Sequence, residues 1–155
     1  MEKINIEERV VKKLRELAYT ISFGESITGG MLASTIINIS GSSNVLKESY
    51  VTYSNEAKNK ILNVNMETID KYGVVSKEVV IEMVQGLFRI TKANVCACVS
   101  GWAELNDKEG GSAWYAIMIN GKIITHYVDV DGKRNQVREK ITREILNCIY
   151  DNLEV

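Results

Sequence analysis

Proline is absent from the 155 residues, although average usage of about 5% would supply about eight. Any loop that ordinarily turns on a proline must here be built differently. Histidine occurs once, at His126, and no C-x-x-C is present. The usual zinc-ligand spacings are therefore missing, and a Ser-His-Asp triad would have to rest on that one ring. The cysteines are three, an odd number, and Cys96 and Cys98 lie in the apolar segment Val95-Cys-Ala-Cys-Val99. They are read as pointing to opposite faces of a strand and as unpaired small hydrophobes. An excess of one charge is lacking too: 19 Lys plus Arg oppose 20 Asp plus Glu, for a formal net charge of −1. Without a block of like charges, neither nucleic acid nor an anionic membrane is an expected partner. No uninterrupted apolar run approaches the roughly 20 residues that span a bilayer. Residues 1–9 mix both charges without an apolar core, so no secretory leader is expected and the chain is placed in the cytoplasm.

What is present is 45% hydrophobic and 25% charged residues, the make-up of an ordinary globular domain. A chain of about 150 residues buries roughly 68–70% of its unfolded surface, enough for a core without staples. Residues 1–155, which show no repeat or linker, are read as one domain. Ile6, Val10, Val11, Leu14, Leu17 and Ala18 recur at helical spacing and predict an amphipathic first helix. Tyr19–Phe23 reads as a short strand, Gly24–Gly30 as a glycine turn, and Met31–Ile37 as the helix that the turn opens into. Ser49–Tyr53 alternates as a strand, followed by helices over Asn55–Leu62, Met66–Tyr72 and onward from a Ser76 cap. Val95–Val99 reads as a buried strand, and Asn120-Gly121 joins Trp114–Ile119 to Lys122–Val130 as an antiparallel hairpin. A last helix carries Val137, Ile141, Ile145, Leu146 and Ile149. Interleaved helices and strands with one forced antiparallel pair predict an α/β fold, a three-layer α/β/α sandwich around a mixed sheet.

Ligands in such sheets sit beyond strand ends near helix starts, which directs attention to Ser26–Gly30 and to Ser100-Gly101. Ser26, between a strand and a glycine-flanked helix start, is placed either as a nucleophile or as a plain N-cap. With the one histidine far from any motif, the cheaper proton acceptors are Lys58 and Tyr53, which share Tyr53-Ser-Asn-Glu-Ala-Lys58. A lysine acts as a base near neutral pH only when desolvated or set beside another cation. No Walker A, no G-x-G-x-x-G and no S-x-x-K around Ser26 occurs.

Glu25-Ser-Ile-Thr-Gly-Gly30, Gly41-Ser-Ser43, Val51-Thr-Tyr-Ser-Asn-Glu-Ala-Lys58, Tyr72-Gly-Val-Val-Ser76 and Gly132-Lys-Arg134 with Arg138 follow one another in a familiar order. Together they resemble the C-terminal domain of the competence/damage-inducible protein CinA, over about residues 8 to 150. Stand-alone members of that family are nicotinamide mononucleotide amidohydrolases. The resemblance implies deamidation without metal or redox cofactor: a hydroxyl attacks the carboxamide, ammonia leaves and water releases the acid. On matching positions Ser26 is the nucleophile, Lys58 its base and later the proton donor to ammonia, and Tyr53 a hydrogen-bonding partner in that relay. Ser100 stands where the family has Thr and keeps a hydroxyl's donor and acceptor capacity. Thr28, Gly29, Gly30, Asn55 and Gly101 shape the site, amides near the helix start serve as oxyanion donors, and Arg134 binds the phosphate. The resemblance also implies a small-molecule amide or nucleotide substrate and a homodimer.

One motif departs. The family's T-G-x-A-G-P reads here Ser100-Gly-Trp-Ala-Glu-Leu105, so Glu104 and Leu105 replace the glycine and the proline. A carboxylate about 6 Å from a phosphate, at an effective dielectric near 20, repels it by roughly 3 kcal/mol before solvent reduces the figure. Trp102 adds a flat apolar surface that stacks on an aromatic ring or fills the cleft. Two classes of function therefore stand side by side: an active amidohydrolase, on nicotinamide mononucleotide or another small amide, and a binding or regulatory module that has lost the nucleotide pocket.

Overall fold

The structure, a computed structural model, describes residues 4–105 and 108–153. Residues 1–3, part of the stretch read for a leader, and residues 106–107, within the altered loop, lie outside the described residues. Helix α1 (Ile6–Leu17) starts where the Asn5 side chain accepts from the Glu8 amide and ends at Ala18 in the left-handed conformation. Then come β1 (Ile21–Glu25), α2 (Met31–Ile37), a 3-10 turn at Ser42–Asn44, β2 (Tyr50–Val51), α3 (Asn55–Leu62), α4 (Met66–Tyr72) and α5 (Lys77–Thr91). The chain continues through β3 (Val95–Trp102), β4 (Gly111–Ile119), β5 (Lys122–Val130) and α6 (Arg134–Asn152).

The five strands form one sheet in the order β2-β1-β3-β4-β5. Strands β2, β1 and β3 run parallel, while β3-β4 and β4-β5 are antiparallel, as the Asn120-Gly121 turn demands. Side-chain alternation divides the core between the two faces of the sheet. Val95, Ala97 and Val99 of β3 and Tyr115 and Ile117 of β4 join Leu14, Ile36, Ile141 and Ile145 of α1, α2 and α6. Cys96, Cys98, Ala116 and Met118 join Leu62 of α3 and Met83 and Leu87 of α5 on the other face. This is the expected α/β/α sandwich with a mixed sheet.

Two local expectations need correction. Cys96 and Cys98 share a face, because residues two apart on a strand project the same way; both are buried and free. β1 also lies two residues later than the Tyr19–Phe23 reading. The Tyr19 amide still closes α1 onto the Leu14 carbonyl, and Gly24, read as a turn residue, pairs with Cys98 inside the ladder. A Cβ on Gly24 would sit 2.7 Å from Cys98 Sγ, so glycine is required there by close packing rather than by turning.

The order of the parallel strands fixes where a site belongs. The chain leaves β1 toward α2 on one face of the sheet and leaves β2 toward α3, α4 and α5 on the other, so a crevice opens beyond the strands' carboxyl ends. Ser26 follows β1, Thr52 and Tyr53 follow β2, and Ser100–Trp102 end β3.

Candidate active site

Lys58 reaches this crevice because α3 begins where it does. Ser54 caps the helix, its Oγ accepting from the Ala57 amide at 3.0 Å, and Lys58 lies one turn in, facing inward. Its side chain is only 1% exposed. Nζ donates to Ser26 Oγ at 3.0 Å, to the Thr52 carbonyl at 3.0 Å and to the Tyr53 carbonyl at 3.3 Å. Burial pushes its pKa down from 10.5 to about 8. The three contacts define what each protonation state does. An ammonium fills all three with N–H bonds. A neutral amine keeps two N–H bonds on the carbonyls and turns its lone pair toward the serine hydroxyl. The backbone thus aims the base before any substrate arrives.

Ser26 is not the cap of α2. Gly30 occupies that position, and the work of capping falls to Glu25, the last residue of β1. Fully buried, Glu25 accepts from the Leu32 amide at 2.8 Å, the Ala33 amide at 3.1 Å and the Thr28 hydroxyl at 2.7 Å. A carboxylate at a helix start satisfies orphan amides and meets the positive end of the dipole. Arg138 of α6 adds a clamp, donating from Nε to the Ile27 carbonyl at 2.8 Å and from Nη2 to the Thr28 carbonyl at 3.2 Å. Sequence reasoning assigned neither Glu25 nor Arg138 a role; the signal available was an acid ending a strand seven residues before a helix's unpaired amides.

These contacts correct four assignments. Thr28, Gly29 and Gly30 do not line the cleft. Thr28 is fully buried on Glu25, and Gly29 and Gly30 make the turn with φ of 58° and 104°, the left-handed region that favours glycine. Nor do the amides at the start of α2 await an oxyanion. Gly29 bonds the Ser26 carbonyl, Met31 the Thr28 carbonyl, and Leu32 and Ala33 the Glu25 carboxylate. The N–H beside the nucleophile is that of Ile27, a residue that lines the cleft, and this N–H donates to no described residue.

The cleft itself has a volume of about 410 Å³ and is lined by Ser26, Ile27, Lys58 and Asn55 at its inner end, with Val74, Ser100 and Gly101 alongside. Ser100 donates to the Val74 carbonyl at 2.8 Å, so it meets the cleft as an acceptor. The exposed end is formed by Tyr53, Trp102, Glu104 and Arg134, with the buried Ala103 beneath them. Arg134 Nη1 lies 3.1 Å from Glu104 Oε1, and Nη2 donates to the Tyr53 hydroxyl at 3.2 Å. The Tyr53 ring therefore points to the rim, and only its carbonyl touches Lys58. His126 is exposed on β5 and takes no part in this cleft. A larger groove of about 640 Å³ along α1 and the end of α2 shares no residue with it and holds the exposed charges of α1 instead.

Fold and site define an α/β protein with a buried serine–lysine pair at the carboxyl ends of parallel strands. The sequence model described as the CinA C-terminal domain matches residues 3–153, and the chain belongs to that family. A CinA-like protein of Petrotoga mobilis is 41% identical over 142 residues, covering 89% of this chain and 35% of the relative. A CinA-like protein of Fervidobacterium nodosum is 43% identical over 128 residues, covering 80% of this chain and 31% of the relative. The chain thus spans about a third of the length of these curated relatives. Among solved structures, a competence-damaged protein (CinA) superfamily protein from Klebsiella pneumoniae superposes with a TM-score of 0.90 at 27% identity, covering 97% of this chain and 98% of that one. The competence/damage inducible protein CihA from Agrobacterium tumefaciens gives 0.86 at 29% identity, with 97% of each chain covered. The resemblance read from the motifs is borne out. No helix among the described residues is long and apolar enough to cross a membrane.

Proposed function

We propose that the chain is an amidohydrolase that removes ammonia from a small primary carboxamide, the reaction type of nicotinamide mononucleotide deamidation. The observation that carries this reading is the 3.0 Å approach of Lys58 Nζ to Ser26 Oγ in a buried setting that lowers the lysine's pKa to about 8. The neutral amine takes the Ser26 proton as Oγ bonds to the carboxamide carbon. The ammonium then gives that proton to the leaving nitrogen as the C–N bond breaks, and ammonia departs from an acyl-serine. Water, deprotonated by the same lysine, attacks the ester carbon; the C–O bond to Ser26 breaks, its hydroxyl is restored and the acid leaves. The Ile27 amide supports the developing oxyanion. Family likeness adds to this reading a homodimer.

A second reading, a binding or regulatory module with a lost nucleotide pocket, draws support from the pairing of Arg134 with Glu104. Ammonia release separates the two. Folded wild type should turn over nicotinamide mononucleotide or another primary amide, and Ser26→Ala and Lys58→Ala should each lose about a thousandfold or more. Binding of these amides without ammonia release by wild type would favour the module.

A further inference from the structure

The rim of the cleft carries information about what enters it. Besides Lys58, whose ammonium is taken up by Ser26 and two carbonyls, Arg134 is the one cation lining the cleft among the described residues. Its guanidinium is already engaged on both terminal nitrogens, by the Glu104 carboxylate and by the Tyr53 hydroxyl. The lining charges of Arg134 and Glu104 cancel, and below the pKa of Lys58 the remaining positive charge lies at the buried end. A phosphate held at the rim would have to displace Glu104 from Arg134 or lie beside that carboxylate, a like-charge contact that disfavours it. Nothing comparable opposes a flat ring. Trp102 and Tyr53, 48% and 64% exposed, both line the same space, and aromatic side chains of this kind are suited to stacking. The volume of about 410 Å³ lies toward the small end of ligand pockets, which run from about 300 to 1,000 Å³.

We infer that the site takes an aromatic primary carboxamide that carries no phosphate, and that the Glu104–Arg134 pair discriminates against the phosphorylated counterpart. For its chemistry this rests on the amidohydrolase reading; for its selectivity it rests on the rim alone. The pair is half-exposed, with side-chain exposures of 50% and 49%, so solvent softens its effect. A preference of about three- to tenfold is the appropriate scale.

Nicotinamide riboside and nicotinamide mononucleotide, which differ only in the phosphate, are the probes. Wild type should release ammonia from the riboside with the higher kcat/KM. Glu104→Gln, which frees Arg134 without emptying the rim, should move the ratio toward the mononucleotide by about three- to tenfold, mainly through KM. The same two ligands titrated onto Ser26→Ala protein by calorimetry give the binding ratio independently of turnover. Tighter riboside binding there, with no ammonia from wild type, would keep the inference and end the amidohydrolase reading. A wild-type preference for the mononucleotide, a ratio unmoved by Glu104→Gln, or no binding of either ligand would overturn the inference.

Discussion

At the inner end of the cleft a cation stands without an anion: Lys58 is held by a hydroxyl and two carbonyls, and burial lowers its pKa to about 8. At the outer end a cation stands with an anion: Arg134 and Glu104 are in direct contact and both half-exposed. The first arrangement keeps a proton loosely bound and is suited to moving it. The second keeps charge neutralised and is suited to choosing what passes. Both use a backbone or a residue of the β2–α3 connection as support, since the Tyr53 carbonyl serves Lys58 while the Tyr53 hydroxyl serves Arg134. One residue thus touches two environments with different atoms, and substitutions there and at Lys58 separate them.

The largest effect that follows from the inner arrangement is a dependence on pH. If neutral Lys58 is the base, ammonia release should rise about tenfold per pH unit and level off above about 8, a gain of roughly fiftyfold between pH 6 and 8. A flat profile over that interval would remove Lys58 from the proton's path. A smaller effect concerns stability. The folded pKa lies below the unfolded one, so below about 8 the unfolded chain binds the extra proton more readily and the native state is penalised. The penalty fades as pH rises from 8 toward 10.5. Lys58→Met abolishes this titration. Whatever constant offset its lost hydrogen bonds impose, the stability of wild type relative to the variant should climb by about 2 kcal/mol between pH 7 and 9.5. Urea unfolding of both proteins at the two pH values measures it, and parallel pH dependences would contradict the inner-end account.

The contrast also marks what a sequence discloses. Periodicity located the helices, and the Asn120-Gly121 turn made the sheet mixed, because these signals are local. Ser26 and Lys58 were singled out as residues, yet their approach spans 32 positions and depends on β1 lying beside β2 in the sheet order. The same holds for Glu104 and Arg134, 30 positions apart: each was weighed separately against a phosphate, one repelling and one binding, whereas in the fold each occupies the other. Glu25 went unassigned because a carboxylate is ordinarily a surface group. Only the unpaired amides of α2, which sequence does not display, make its burial favourable. Cys96 and Cys98 are the opposite case, where the period-two rule alone was sufficient and the expectation went against it.

The smallest predicted effect tests the division most directly. Family likeness puts the Tyr53 side chain in the proton relay, whereas its ring is 64% exposed and its hydroxyl accepts from Arg134 at the rim. The contact with Lys58 comes from the main-chain carbonyl at 3.3 Å, which phenylalanine supplies equally well. Tyr53→Phe should therefore leave kcat within about threefold of wild type, with stability changed by about 0.5 kcal/mol, the scale of one exposed hydrogen bond. Its pH profile should keep the wild-type inflection near 8, because nothing that sets the lysine's burial is removed. A phenol that carried a proton would behave otherwise: its loss would lower kcat by about a hundredfold, the contribution typical of a positioned acid or base. A drop of that size would carry the chemistry out to the rim and join the two ends into one machine.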